Sequence, residues 1–321
     1  MSTKRIFVAG SLNIDLVVRM DRLPRAGETL SGGDLMLFPG GKGANQVCAA
    51  AKVGGRATMI GQIGTDPFGE HLLASLRGAG VDTAGVGTSA NATGAACISV
   101  LPTGENAIVI SPGANATVTP EITLPRLAEL GAGDLLLLQL EIPLATVEAV
   151  LTYAAARGVV SMLDPAPAQP LSLELLRNVS YLTPNQSEAA LLLNRPDAEI
   201  ASFDQAREAA SRLMELGVKA VVLKLGHMGC FVAADGFCGG IPGFTVNAVD
   251  TTAAGDTFNG AFAVGLAEGM PIPMAAHFAN AAAALSVTRM GAQSSIPNRD
   301  EVMAFLNASG RPLEEVKTVC S

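Results

Sequence analysis

Residues 246–266 read VNAVDTTAAGDTFNGAFAVGL. Phe258, Phe262 and Leu266 recur at four-residue intervals, which predicts a helix beginning close to Asp256. Ahead of it stand Thr251, Thr252, Ala253, Ala254 and Gly255, with almost no side-chain bulk. One reading is purely structural. An Asp in a first turn complements the positive end of the helix dipole, and small residues permit a tight turn. The other reading is chemical. Free N–H groups at a helix start form an anion site, and small residues let an anion reach the main chain. An Asp beside a bound phosphate is electrostatically unfavourable unless it has a task, such as taking a proton from an incoming hydroxyl. This stretch alone is compatible with both.

Outward from this helix, short β-branched runs alternate with helical patterns through most of the chain. Strands are expected near 5–9, 57–60, 135–139, 159–163, 181–183 and 220–224, with helices near 43–52, 69–78, 144–157, 187–193 and 203–216. Such alternation implies an α/β fold, a doubly wound, mostly parallel sheet with helices on both faces. Two stretches break the rhythm. Residues 12–38 and 94–111 alternate like antiparallel strands with Pro/Gly turns, and are expected to form a small projecting sheet that serves as a lid or partner surface. The expected division is one domain over 1–308, with these segments inserted, and a C-terminal tail over 309–321.

Bulk composition narrows the function classes. The chain has 321 residues, 49% hydrophobic and 16% charged, so a large buried core is expected and disorder is not. A net charge of −8 disfavours nucleic acid and anionic membranes as main partners, while leaving room for a local basic cleft. The start, MSTKRIFVAGSLNID, has too short an apolar run for a signal peptide, and no stretch approaches ~18 uninterrupted apolar residues. Cys48, Cys97, Cys230, Cys238 and Cys320 are scattered without a C-x-x-C pair, so reduced, cytoplasmic thiols are expected and a zinc site is not.

Several glycine clusters compete for a ligand. Neither G-x-x-x-x-G-K-[ST] nor G-x-G-x-x-G occurs around Gly41-Lys42-Gly43, which excludes an ordinary P-loop or dinucleotide fingerprint. Gly131-Ala132-Gly133-Asp134 nearly repeats the letters of 253–256, yet it precedes the strand run LLLLQL; its glycines end a helix and Asp134 introduces a strand. In FPGGKGANQ (38–46), Gly40, Gly41 and Gly43 allow close backbone approach, and Lys42 and Asn45 bring polar groups to a helix start. A plain turn is the alternative. Asn13 and Asp15 leave the first strand at its C-terminal end, where ligands bind in open α/β sheets, and Glu141 likewise follows a strand. Asn185 and Glu188 have the spacing of a capping box, or alternatively of groups that orient a hydrated Mg²⁺. Lys224–Gly229 reads as a strand end turning into a hairpin, with His227 a loop residue.

In order, GSLNID (10–15), PGGKGANQ (39–46), QLEIP (139–143), DPAPA (164–168), TPNQSE (183–188), AVDTTAAGDTFNGAF (248–262) and SVTRMGAQSSIP (286–297) resemble the ribokinase-like (PfkB) family of carbohydrate kinases. The resemblance extends over residues 4–308. It implies a doubly wound α/β domain with a small β lid, and ATP-dependent phosphorylation of a sugar CH₂OH. D-ribose is the expected substrate; 2-deoxyribose, another pentose or a ketohexose, or a non-catalytic sugar-binding regulator are the alternatives.

By the same resemblance, Asp256 is the base, and the amides of Ala253, Ala254 and Gly255 form an anion hole. Asn13, Asp15, Gly41, Lys42, Gly43, Asn45 and Glu141 would contact the sugar. Asn185, Glu188, Lys224, Leu225, Gly226, His227, Met228, Gly229, Gly255 and Asn280 would face ATP and its Mg²⁺. Asp250, Thr252, Ser286, Arg289, Gly291 and Ser295 match a monovalent-cation loop for K⁺, largely through main-chain oxygens. A homodimer through the lid is also implied. Pro39, where a small residue is usual, and the His227-Met228 pair depart from the pattern.

Overall fold

In the strand Arg5–Ala9 (β1), Ile6 and Val8 point into one hydrophobic core and Phe7 and Ala9 into another. Side chains alternate across a strand, so an unbroken apolar run means a strand covered on both faces. The computed structural model describes residues 4–314 and 316. Among these, the main sheet has nine strands. From one edge they are Phe237–Pro242 (β13), Gly229–Ala234 (β12), Ala220–Lys224 (β11), Tyr181–Leu182 (β10), Val160–Leu163 (β9), Leu135–Leu138 (β8), β1, Arg56–Ile63 (β4) and Asp82–Thr88 (β5). All pairs are parallel except β11 with β12 and β12 with β13.

Helices Lys42–Lys52 (α1), Pro67–Gly78 (α2), Ala254–Ala267 (α8), Ile272–Ser286 (α9) and Arg299–Ala308 (α10) cover the Ile6/Val8 face. Pro120–Arg126 (α3), Leu144–Ala155 (α4), Leu173–Arg177 (α5), Gln186–Leu192 (α6) and Phe203–Glu215 (α7) cover the other. The sheet is thus doubly wound, as the alternation of patterns implies. Successive strands progress in opposite directions from β1 and β8, which makes the gap beyond their C-terminal ends a topological switch point. On the first face, α8 crosses α1 closely. A Cβ on Gly260 would lie 2.5 Å from the Gln46 carbonyl, so only glycine permits this approach.

A separate four-stranded sheet is built from Met36–Gly40 (β3), Asn13–Arg19 (β2), Gly94–Val100 (β6) and Asn106–Ser111 (β7), in that order. Here the sequence expectation needs correcting in part. The pairs β2–β3 and β6–β7 are antiparallel, but β2 and β6 run parallel. Between these two strands the chain passes through β3, α1, β4, α2 and β5, a crossover long enough to bring β6 in parallel to β2. One strand of this sheet, β7, leaves Ile108, Val109 and Ile110 exposed, Val109 by 70%.

Past α10, Arg311 donates to the carbonyls of Pro242 and Gly243 and lies 4.1 Å above the Phe244 ring, while Leu313 joins the core. The rest of the expected tail, including Cys320, lies outside the described residues. Among those described, no helix is long and apolar enough to cross a membrane.

Candidate active site

The C-terminal ends of the parallel strands deliver the polar residues to one place. β1 runs out into Gly10–Asn13, β8 into Gln139 and Glu141, β9 into Asp164, and β11 ends at Lys224. Opposite them stand the first turns of α1 and α8. Lys42 opens α1, and its Asn45 and Gln46 follow one turn later. Ala253 caps α8 without a side-chain hydrogen bond and in a left-handed conformation (φ 58°), unusual for a residue other than glycine. No side chain caps this helix start.

Asp256 is 6% exposed. Asn45 Nδ2 donates to its Oδ2 and Gln46 Nε2 to its Oδ1, both over 3.0 Å. Burial pushes its carboxyl up to about 6, with Asp164 adding to the rise while Lys42, Asn45 and Gln46 oppose it. A carboxylate in that range is ionised at neutral pH and still a competent proton acceptor. Burial works against the charge of Lys42, but Asp256, Asp164, Glu141 and Glu188 together prevail and raise its pKa.

The expected sugar contacts gather next to Asp256. Glu141 Oε2 accepts from the Lys42 amide (3.0 Å), from Ser11 Oγ, and at 3.5 Å from Asn13 Nδ2. Asn13 Oδ1 in turn accepts from Asn115 Nδ2 at 2.7 Å. Asp15 is pushed up to about 7, by burial first and then by Glu141 and Asp256. Gly43 serves packing: a Cβ there would meet the Ser11 nitrogen at 2.6 Å. Gly41 turns the chain into α1 with φ 88°.

Two cavities meet at the start of α8. One, about 490 Å³, is lined by Lys42, Asp164, Asn185, Glu188, Lys224 and the 253–256 turn. The other, about 410 Å³, runs between His227, Gly229, Phe244, Phe258 and Asn280. Lys224, Gly226, Thr251, Ala254 and Gly255 border both. Asn185 and Glu188 do form a capping box on α6, so the structural reading of that pair holds, and both also face the first cavity. Leu225 is buried in the core and Met228 packs against it, so these two side chains turn away from the cavities. The Ala254 amide donates to Thr251 O at 3.2 Å.

Of the residues expected in the cation loop, Asp250, Thr252 and Gly291 are hydrogen-bonded together. Asp250 accepts from the Thr252 amide (2.9 Å) and hydroxyl (2.6 Å) and from the Gly291 amide (2.9 Å). Burial opposes its charge, but these hydrogen bonds prevail and hold its pKa low. Arg289 pairs with Glu301, and the hydroxyls of Ser286 and Ser295 donate to Ala283 O and Ala292 O. These side chains are thereby engaged within the protein.

Sequence reasoning missed Gln46, Asp164, Gln139, Ser11 and Asn115 as members of this site. Asp164 had a usable signal, since it follows a buried strand at the same edge as Asn13 and Glu141. Gln46 and Asn115 had none, because only tertiary packing brings them in.

The geometry has close parallels. The model of the pfkB family carbohydrate kinases matches residues 3–299. The ribokinase of Haemophilus influenzae is 42% identical over 304 residues, which cover 94% of this chain and 98% of that protein. The deoxyribokinase of Salmonella typhimurium is 33% identical over 305 residues, covering 94% and 98%. Among solved structures, the ribokinase of Thermotoga maritima superposes with a TM-score of 0.85 at 42% identity, covering 95% of this chain and 99% of that one. Arabidopsis thaliana ribokinase complexed with ribose and ATP gives 0.84 at 34% identity, with coverage of 95% and 99%. The chain therefore belongs to the pfkB family of carbohydrate kinases.

Proposed function

We propose that this chain is an ATP-dependent kinase that transfers the γ-phosphoryl group to the 5-hydroxyl of D-ribose, giving ribose 5-phosphate and ADP. The observation that carries the reading is Asp256, buried and gripped by two amides, lining the first cavity in the first turn of a helix that no side chain caps. Asp256 takes the hydroxyl proton as the sugar oxygen attacks phosphorus and the bond to the ADP oxygen breaks. Negative charge on the transferring group falls on the amides of Ala253 and Gly255, on that of Ala254 once it turns from Thr251 O, and on the positive end of α8. Asn13, Asp15, Gly41, Lys42, Asn45 and Glu141 hold the sugar. Glu188, Asn185, Lys224 and the 226–229 turn hold the phosphates, and the cavity at Asn280 takes the base.

Among the described residues, no cluster of three His, Cys, Asp or Glu side chains could hold a metal ion. Mg²⁺ fits as an ion carried by the triphosphate and its waters, with Glu188 and Asn185 lining the same cavity. The donor set around Asp250 fits K⁺, whose fixed charge would keep the 250–255 backbone in shape. The exposed apolar strand β7 supports a homodimer through the small sheet, and the cysteine pattern supports a cytoplasmic enzyme.

The likeness to a deoxyribokinase makes 2-deoxyribose the second reading. Another pentose or a ketohexose is a further alternative, and a regulator that binds sugar without turnover is a last one. ADP release with ribose, 2-deoxyribose and fructose tests them together; a preference for another sugar moves the substrate, and binding without turnover replaces the enzyme with the regulator.

A further inference from the structure

Gln46 spends one amide group on two carboxylates. Its Nε2 lies 3.0 Å from Asp256 Oδ1 and 2.9 Å from Asp164 Oδ2, so both of its hydrogens are committed. Its Oε1 accepts from Gln139 Nε2 at 2.7 Å, which fixes the orientation of the amide. On its far side, Asp164 Oδ1 accepts from Lys224 Nζ at 2.9 Å. The result is one chain, Lys224–Asp164–Gln46–Asp256, running from the first cavity to the carboxylate assigned as the base. Asp164 is 2% exposed, and the Lys224 side chain is also mostly buried, so solvent screens this chain little. Lys224 Nζ sits 3.3 Å from where a Cβ on Gly255 would stand, directly beside the start of α8.

We propose that Asp164 is a positioning residue that couples the phosphate cavity to the base: through Gln46 it orients Asp256, and through Lys224 it balances the charge that Asp256 feels. This rests on the assignment of Asp256 as the base. Asp164 contributes negative charge close to Asp256, and Lys224 neutralises part of it. Removing either partner therefore shifts the base in opposite senses. Asp164→Asn deletes a carboxylate and leaves the Lys224 charge opposed only by Glu188, so Asp256 becomes more acidic. Lys224→Met leaves the Asp164 charge uncompensated, so Asp256 becomes less acidic. The other groups acting on Asp256 are Lys42 and the Asn45 amide on α1 and Asp15 on β2, while Glu141 after β8 and Glu188 on α6 act on Lys42; both substitutions leave these residues unchanged. A merely structural role for Asp164 would lower activity and leave the titration of Asp256 where it is.

The experiment is a ¹³C-carboxyl aspartate NMR titration of the full chain without nucleotide, with the Asp256 signal assigned by its loss in Asp256→Asn. Wild type, Asp164→Asn and Lys224→Met are compared, with circular dichroism and thermal unfolding as the check on folding. The expected result is a midpoint for Asp256 that falls in Asp164→Asn and rises in Lys224→Met. In parallel, kcat of Asp164→Asn drops by roughly 10–100-fold, by analogy with the loss seen when the partner that orients a metal's ligand is removed. An unmoved midpoint in Asp164→Asn, or shifts of the same sign in both variants, overturns the proposal. The titration needs no turnover, so it judges the coupling even if the sugar assignment fails; ADP release judges the function separately.

Discussion

Asn45 Nδ2 donates to Asp256 Oδ2 over 3.0 Å and across 211 positions of sequence. The contact joins the glycine-rich start of α1 to the small-residue start of α8, so neither stretch is complete alone. Asn45→Ala should leave one oxygen of a buried carboxylate without its donor. The expected cost is about 1–3 kcal/mol of stability, read by urea denaturation. Because that hydrogen bond favours the charged form, its loss should also move the acid limb of kcat/KM to higher pH. A variant as stable as wild type with the same limb would remove Asn45 from the site.

Asp15 carries the opposite compromise. Its carboxyl is pushed up to about 7 by burial and by Glu141 and Asp256, against an ordinary value of 3.8. Folding favours its protonated form, so its contribution to stability is present below 3.8 and is lost as pH rises through about 7. Asp15→Asn lacks this dependence. The ligand-free variant should be more stable than wild type at pH 8, by on the order of 1–4 kcal/mol, and the gain should vanish towards pH 4. Sugar binding should weaken at the same time. Equal stabilities at pH 8 would show that the Asp15 carboxylate is not under strain.

The small sheet offers a third test. Val109 is 70% exposed between Ile108 and Ile110, all on β7. Monomeric proteins seldom expose such a contiguous apolar strand. If this sheet is the dimer interface, light scattering should give twice the chain mass for wild type and a single chain mass for Val109→Lys. Wild-type protein that runs as a monomer at micromolar concentration would dismiss the interface.

The cation loop makes a fourth. Asp250 ties the Thr252 and Gly291 amides together just ahead of the α8 start. Exchanging K⁺ for tetramethylammonium should lower kcat several-fold with little change in ribose affinity. Full activity in tetramethylammonium alone would detach the loop from catalysis.

The layering of the fold was legible because it is local and periodic: β1 and β8 read as apolar runs and α7 as an amphipathic helix. The direction of the β2–β6 pair was not, since alternation reports a half-buried strand but not which way its neighbour runs. At the site, Asp256 and Asn45 were visible from the composition around them. Gln46 was not, because a Gln inside a helix gives no sign of its partners until α1 and α8 cross at Gly260. The turn at 131–134 shows the limit of letters alone. It nearly repeats 253–256, but Asp134 accepts from the Arg5 amide and side chain and belongs to the strand end of the sheet.

The most direct measurement is ADP release with ATP, Mg²⁺ and K⁺ against ribose, 2-deoxyribose, fructose and adenosine, for wild type and Asp256→Asn. The expected result is a ribose-dominated signal that falls by at least about 10²–10⁴-fold in the variant while ribose still binds. Near-normal turnover in Asp256→Asn would contradict the assignment of the base, and with it the reading of the helix start at 251–256.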